Sequence, residues 1–502
     1  MWSWQQRQSL WGYVIEEQSK MEKKYDVVII GGGILGAFSA RELSRYQLKV
    51  AVLEKASDIG EGATKTNSGI LAAGFHPRGG SLKGISCVQG NQMYRSICKD
   101  LGVQVKYIGS LYVAFSKSGE DMIAEKYHKG IQNGVPGMQI VSGSEARNMQ
   151  PGLSAKVTQA LYAPTTGIID TFQLILRTAQ NAVENGVDFF FGEEVEAIEG
   201  QKGDFCVHTK TCSLKSSYII NAAGENAALL DRFFHPADLV IKPRRGQFYV
   251  FDKQKDPILK HVIYQAQDTD EKGCLITPTI EGNLIAGPTS ENVRSYQCVE
   301  TTRAGLDLIE RVADKIIPGI DMGNVITSFA GVRANIRNVA KEEKDFVIRR
   351  SAPGLVSALG IKNPGLTSAP YLVQKIIEIL REDGLRTEEK TDFNPGVKTG
   401  KKFLDCSIQE QKELFASDNR YGHMICRCEN ITEGDILRVL SETLPPSTFN
   451  GLKKRLRTGM GRCHGAYCMP RIIDIMSREL GVSPEKIVKG AQKSNFVKGR
   501  LK

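Results

Sequence analysis

Residues 26 to 54 leave few folds open to this chain. Asp26-Val27-Val28-Ile29-Ile30 is short, apolar and β-branched, the pattern of a strand buried on both faces of a parallel sheet. Gly31-Gly32-Gly33-Ile34-Leu35-Gly36 follows at once, Ala37 to Arg45 continues as a helix, and Lys49 to Leu53 reads as the next strand. That strand ends in Glu54, 18 residues beyond Gly36, with Lys55 beside it. Strand, glycine turn, helix and acid-terminated strand in this order predict an α/β, Rossmann-like domain that binds a dinucleotide. Gly31 permits the tight turn, Gly33 lets the backbone approach a pyrophosphate, and Gly36 lets the helix pack on the strand. Ile34 and Leu35 open the helix whose N-terminus faces the phosphates, and Glu54 suits ribose hydroxyls. The turn alone does not separate FAD from NAD.

A second array lies near the other end. Cys426-Arg427-Cys428 is a C-x-C pair, and Cys463 to Cys468 is a C-x4-C pair. Four thiolates are a soft ligand set, suited to an iron–sulfur cluster or to zinc. His464 is read as lying outside that set, because four cysteines complete it. The other seven of the eleven cysteines are scattered singly, which argues against a disulfide framework and for a reducing cytoplasm.

At 502 residues the chain can build two or three domains, and no apolar run approaches membrane-spanning length. Residues 1–24 read as an N-terminal extension, with Met21 resembling a start. Residues 25–383 form the dinucleotide-binding unit, with a mainly antiparallel substrate subdomain inserted chiefly at 85–160 and 236–330. Polar residues 384–419 read as a linker, 420–482 as a small helical metal-binding domain, and 483–502 as a basic tail. Thr432-Glu433-Gly434-Asp435 reads as a capped helix start, and Ser483-Pro484-Glu485 opens a further short helix. A module of about 60 residues gains stability from a metal centre. Of the net charge of +10, the segment 401–502 holds 19 Lys and Arg against 11 Asp and Glu. That excess is either a solvated surface or a docking face for an acidic partner. Nucleic acid is disfavoured, because the basic residues are not interleaved with aromatic side chains.

Three further segments carry a resemblance. Gly62-Ala63-Thr64-Lys65-Thr66-Asn67-Ser68-Gly69, the strand and turn Tyr218 to Gly224 including Ala223, and Gly354 to Pro370 resemble the flavin-contacting segments of the D-amino-acid-oxidase-like flavoproteins. The resemblance implies FAD, held also by Gly360, Lys362, Gly365, Leu366 and Thr367. Pro370 is expected to open a helix facing the flavin. Within that superfamily Asn67-Ser68-Gly69-Ile70-Leu71, Arg245-Gly246-Gln247-Phe248 and Thr367-Ser368-Ala369-Pro370 are similar to the L-2-hydroxyglutarate oxidases. Cys426 to Thr432 and Arg457 to Cys468 resemble the bacterioferritin-associated-ferredoxin-like tail of the large subunit of anaerobic glycerol-3-phosphate dehydrogenases. That tail implies a [2Fe–2S] cluster on Cys426, Cys428, Cys463 and Cys468.

The combined resemblance implies oxidation of a small anionic secondary alcohol by FAD. Sn-glycerol 3-phosphate going to dihydroxyacetone phosphate is the leading expectation, with electrons relayed to a partner subunit or carrier. A 2-hydroxy acid such as L-2-hydroxyglutarate, and an amino acid or amine, are the alternative substrates. Arg333 matches the position that holds the substrate anion, and Lys83 and Arg245 are further anion-binding candidates. Both groups commonly carry a histidine where this chain has Ala72; His76, four residues on, is the candidate base. The expected setting is cytoplasmic, with membrane association only through partner subunits.

Overall fold

A computed structural model describes residues 23–235, 239–253, 258–266, 274–338, 345–491 and 493–499. The expected extension 1–24 lies outside the described residues except for its last two, as do the proposed start at Met21 and the end of the basic tail.

The first sheet is built as the glycine turn requires. Lys23–Ile30 runs parallel to Val50–Glu54 on one side and to Ser213–Asn221 on the other. Val50–Glu54 pairs in parallel with Asp188–Phe191, and Ser213–Asn221 with Leu355–Leu359. Val27, Val28 and Ile29 are fully buried, as expected for a strand covered on both faces. Helices Ile34–Leu43, Leu82–Leu101 and Gly365–Glu382 share one core with this sheet, through Phe38, Tyr94, Leu101, Leu372 and Ile376. Leu82–Leu101 therefore belongs to the nucleotide-binding core, although the sequence placed its residues from 85 onward in the inserted subdomain. Gly90 explains the close approach: a Cβ there would lie 2.0 Å from the Thr367 carbonyl oxygen.

The inserted subdomain is a nine-stranded sheet, as expected mainly antiparallel. Val325–Arg333, Arg244–Phe251, Leu284–Gly287, Leu275–Pro278, Val262–Gln265, Ser110–Ala114, Gln159–Ala163 and Gln139–Ser142 lie in that order, and the short ninth strand Glu291–Asn292 pairs with Arg244 and Arg245. The pairing of Val262–Gln265 with Ser110–Ala114 is the parallel exception. Helix Arg303–Ile316 covers its outer face through Ile309, Val312 and Ile316.

The expected linker is not a free tether. Asn181 donates to the carbonyls of Asn394 and Gly396, and Lys390 to that of Asn185. Within it Ile408–Ser417 is a helix with a Ser407–Glu410 capping box. The C-terminal module then packs helices Glu433–Leu440, Phe449–Leu456 and Met469–Leu480 around Ile431, Leu452, Ile472 and Met476. Thr432 and Asp435 cap the first helix reciprocally, and Pro484–Lys486 forms a single tight turn.

This module is docked by buried charge. The Arg455 guanidinium grips Asp58 through both nitrogens, at 2.8 and 3.1 Å, and also donates to the carbonyls of Gly451 and Leu444. Lys454 meets Asp58 at 3.0 Å and Glu61 at 2.6 Å. Burial alone would raise the Asp58 pKa, but Arg455 and Lys454 outweigh it and hold the group at about 2. On the other flank Glu429 pairs with Lys253 at 2.9 Å and with Arg457 at 3.3 Å, and Arg462 pairs with Asp252 at 2.9 Å.

Candidate active site and iron–sulfur centre

The glycine turn is closely packed. Gly31 sits at φ +103°, and a Cβ on it would lie 2.6 Å from the Ala222 carbonyl oxygen. A Cβ on Gly36 would lie 1.9 Å from the Gly31 carbonyl oxygen, so the helix packs on the turn only without a side chain there. Gly33, which caps the helix, has only the Thr64 hydroxyl near its Cβ direction, at 3.5 Å. The Thr64 hydroxyl accepts from the Ile34 amide at 3.0 Å, which brings the loop 62–69 to the helix N-terminus. Glu54 is buried and accepts from the amides of Gly32 (2.6 Å) and Ala56 (2.8 Å). Burial raises its pKa against those two donors. Lys55 pairs with Glu225, in the turn that follows Ala223 and Gly224.

Asn67 ties the next part of the loop. Its side chain donates to the Thr64 carbonyl (2.5 Å) and accepts from the Gly69 amide (2.7 Å) and the Thr171 hydroxyl (3.0 Å). The Ala72 amide then donates to the Thr367 hydroxyl at 2.9 Å, and Tyr94 donates to the Leu366 carbonyl at 2.6 Å. Residues 62–72 and 360–367, distant in sequence, thus meet as one wall. Ser68 lies on this wall between Asn67 and Gly69, half-buried. The helix over Gly365–Glu382 starts earlier than the sequence implied, and Pro370 lies in its second turn. The helix N-terminus at Gly365 to Thr367 is the positive pole of its dipole, and it is buried at Gly365 and Thr367.

Above that wall lies the inner face of the large sheet. Strands Arg244–Phe251 and Val325–Arg333 pair so that Gly246 faces Gly331, Arg244 faces Arg333 and Phe248 faces Phe329. The two phenyl rings stack at 4.7 Å. A Cβ on Gly331 would lie 2.1 Å from the Thr66 hydroxyl, so the loop seats directly on this glycine. Arg333 is steered by bonds to the carbonyls of Thr289 (3.1 Å) and Arg245 (3.4 Å). Burial first, and Arg244 second, push its pKa down to about 10, so it stays charged. Among the described residues neither Arg333 nor Arg244 has a carboxylate within ion-pair distance, and the Arg244 Nε is buried without a hydrogen-bond partner. Lys362 reaches the same corner by donating to Asn335, whose own amide bonds the Arg333 carbonyl. Gly360, at φ +68°, leaves room for Ile336.

Three candidates are placed elsewhere. Arg245 points to the opposite face, where Glu291 (2.8 Å) and Glu300 neutralise it. Adjacent residues of a strand face opposite ways, so it is Arg244 that shares the inner face with Arg333. The Lys83 ammonium lies over the Phe346 ring at 5.0 Å, in the first turn of a helix whose Leu82 and Lys83 amides are capped by Asp345. His76 is wedged among Phe75, Tyr112 and Tyr264, with ring centres 4.3, 5.4 and 5.1 Å away. Burial, and then Lys126 and Lys129, push its pKa down to about 3. The imidazole is neutral but weakly basic, which counts against the expected role as base. It is Ala72 that bonds the Thr367 wall.

In the C-terminal module the four cysteines come together as two pairs. The Cys428 and Cys463 sulfurs are 3.9 Å apart, and Cys426 bonds Cys468. Among the described residues no three His, Cys, Asp or Glu side chains converge on a single metal ion. Four thiolates in two pairs suit a [2Fe–2S] centre, in which each iron takes two of them. Backbone amides of Cys428, Glu429 and Gly459 face the Cys426 sulfur, and those of Gly465 and Tyr467 face Cys463. Such donors stabilise thiolate charge. A Cβ on Gly461 would lie 2.3 Å from that of Cys428, so the loop closes only with glycine there.

Residues 26–378 match the family described as FAD dependent oxidoreductase. The chain belongs to that family. Residues 424–478 match the BFD-like [2Fe-2S] binding domain. A glycerol 3-phosphate dehydrogenase of Caloramator mitchellensis is 39% identical over 480 residues, covering 95% of this chain and 99% of its own. The human mitochondrial L-2-hydroxyglutarate dehydrogenase is 30% identical over 290 residues, covering 54% of this chain and 62% of its own. An FAD-bound L-alpha-glycerophosphate oxidase structure from Mycoplasma pneumoniae superposes with a TM-score of 0.69 at 26% identity, covering 76% of this chain and 100% of that one. This FAD dependent oxidoreductase is an enzyme of the glycerol-3-phosphate dehydrogenase type, and its cofactors are FAD and a [2Fe–2S] cluster.

Proposed function

We propose that the enzyme oxidises sn-glycerol 3-phosphate to dihydroxyacetone phosphate and passes the electrons through its [2Fe–2S] cluster to a partner. The observation that carries the substrate is the Arg244–Arg333 pair: two inward arginines on facing strands, with no carboxylate to neutralise them among the described residues. Two guanidinium groups match a phosphate dianion in charge and in fork geometry. Gly246 makes room for one of them, since a Cβ there would lie 2.7 Å from Arg333 Nη2. The sequence relatives named for glycerol 3-phosphate support the same reading.

This reading assigns a role to each part of the site. Gly31 to Gly36, Glu54, Lys55 and the loop Gly62–Gly69 hold the dinucleotide, together with Ala223, Gly224 and the segment Gly360–Thr367. Arg333 and Arg244 fix the phosphate and so orient the carbinol carbon toward the wall formed by Ala72 and Thr367. Phe248, Phe329 and the sheet exclude water above it. Bound FAD supplies the hydride acceptor, and the cluster on Cys426, Cys428, Cys463 and Cys468 carries electrons one at a time.

Anaerobic mixing of the purified enzyme with glycerol 3-phosphate and, separately, with L-2-hydroxyglutarate and amino acids tests the reading. Rapid bleaching of the flavin by glycerol 3-phosphate is expected. Bleaching by L-2-hydroxyglutarate or by an amino acid instead would reassign the arginine pair to a carboxylate.

A further inference from the structure

The cluster loop is unevenly covered. Cys426 and Cys468 are buried, whereas Cys428 is exposed and Cys463 partly so. Around this open edge stand Arg427, Tyr467 and Arg471, all exposed. Tyr467 leaves 41% of its surface to solvent. Two guanidinium groups lie over its ring, Arg427 at 5.0 Å and Arg471 at 4.7 Å, and Arg471 donates to its hydroxyl at 3.1 Å. Among the described residues neither arginine has a carboxylate within ion-pair distance. The other charges of the loop are committed inward: Arg462 to Asp252, and Glu429 to Lys253 and Arg457. Asp474, exposed on the next turn of the helix that carries Arg471, leaves the face net positive.

An exposed tyrosine in contact with two arginines is the composition of an interface anchor. Unpaired positive charge around an exposed sulfur edge favours and steers a negatively charged protein. We infer that the Arg427–Tyr467–Arg471 face is the docking surface for a small acidic one-electron carrier protein, which collects electrons at the Cys428–Cys463 edge. This rests on the electron relay proposed above. Each turnover then removes two electrons and two protons from the alcohol, reduces two carrier molecules by one electron each, and releases two protons.

Calorimetric titration of the holoenzyme with oxidised rubredoxin, an acidic carrier, and with cytochrome c, a basic one, tests the inference without turnover. Rubredoxin is expected to bind with an affinity that falls as salt rises, and more tightly than cytochrome c. Arg471→Glu is expected to weaken rubredoxin binding about 10-fold or more, while cluster absorbance and flavin bleaching stay as in the wild type. Tyr467→Ala is expected to weaken it without changing the salt dependence. Arg427 stands between two cysteines, so Arg471 decides the matter. Equal or tighter binding of cytochrome c, or unchanged rubredoxin affinity in Arg471→Glu, would overturn the inference. Binding to phosphatidylglycerol vesicles that Arg471→Glu abolishes, with rubredoxin affinity unchanged, would give the face to a lipid surface instead. Failure of the relay has a separate signature: Cys463→Ser would reduce rubredoxin as fast as the wild type.

Discussion

Replacing Asp58 with alanine isolates what holds the iron–sulfur module on the flavin domain. The carboxylate accepts two bonds from Arg455 and one contact from Lys454, and the side chains of Asp58 and Arg455 are 5% and 3% exposed. Removing it leaves Arg455 buried without its counter-charge, and loss of one partner of a buried pair costs about 3–5 kcal/mol. Lys454 keeps Glu61, which places the expectation near the lower end, about 3 kcal/mol. Urea unfolding followed by cluster absorbance and by flavin fluorescence is the assay. The cluster transition should move to lower urea, and the flavin transition should move less. Asp58→Asn adds a pH test. The folded pKa of Asp58 lies near 2, below its ordinary 3.8. Its charge therefore contributes about 2 kcal/mol, present in full above about pH 5 and lost as pH falls from about 4 toward 2. The stability gap between wild type and Asp58→Asn should stay constant from about pH 8 to 5 and narrow below about pH 4. A cluster transition displaced by less than about 1 kcal/mol in Asp58→Ala would refute the buried-clamp argument.

Other outcomes follow from the site. Arg333→Ala should keep its flavin and lose about 3 kcal/mol of substrate binding, roughly 100-fold in kcat/KM; kinetics like the wild type would return Arg333 to a structural role. Cys463→Ser should lose the iron–sulfur absorbance yet still bleach with substrate, because hydride transfer takes place in the other domain; stoichiometric zinc in anaerobically purified wild type would defeat the redox assignment. His76→Asn should leave the pH dependence of kcat/KM between about pH 6 and 9 unchanged, since a group titrating near 3 is neutral throughout; loss of an inflection near neutrality would restore His76 as the base. FAD should be released by acid precipitation, because Ala72 offers no tether where a histidine stands in the resembling families; colour retained in the pellet would contradict this.

What was legible in the sequence was local. The glycine turn, Glu54 and the two cysteine pairs declare themselves within a few residues, and each sits where its spacing implied. The proposed anion site was only half legible. Arg333 could be named, but its neighbour depends on the register of two strands about 80 residues apart, and a shift of one residue separates Arg244 from Arg245. The helix Ile408–Ser417 lacks a buried face, so apolar periodicity was silent; the Ser407–Glu410 capping box was the signal to heed. Lys83 and His76 are polar residues that the fold packs against aromatic rings, which no local pattern announces.

The docking of the module has an evolutionary reading. Asp58 with Arg455, Glu429 with Lys253, and Arg462 with Asp252 join the two parts through side chains, independently of the peptide that links them. A chain nicked within residues 384–419 would hold together as a two-subunit enzyme. The same surfaces would serve two separately encoded polypeptides, so splitting or fusing the gene at this point would leave the proposed electron route intact.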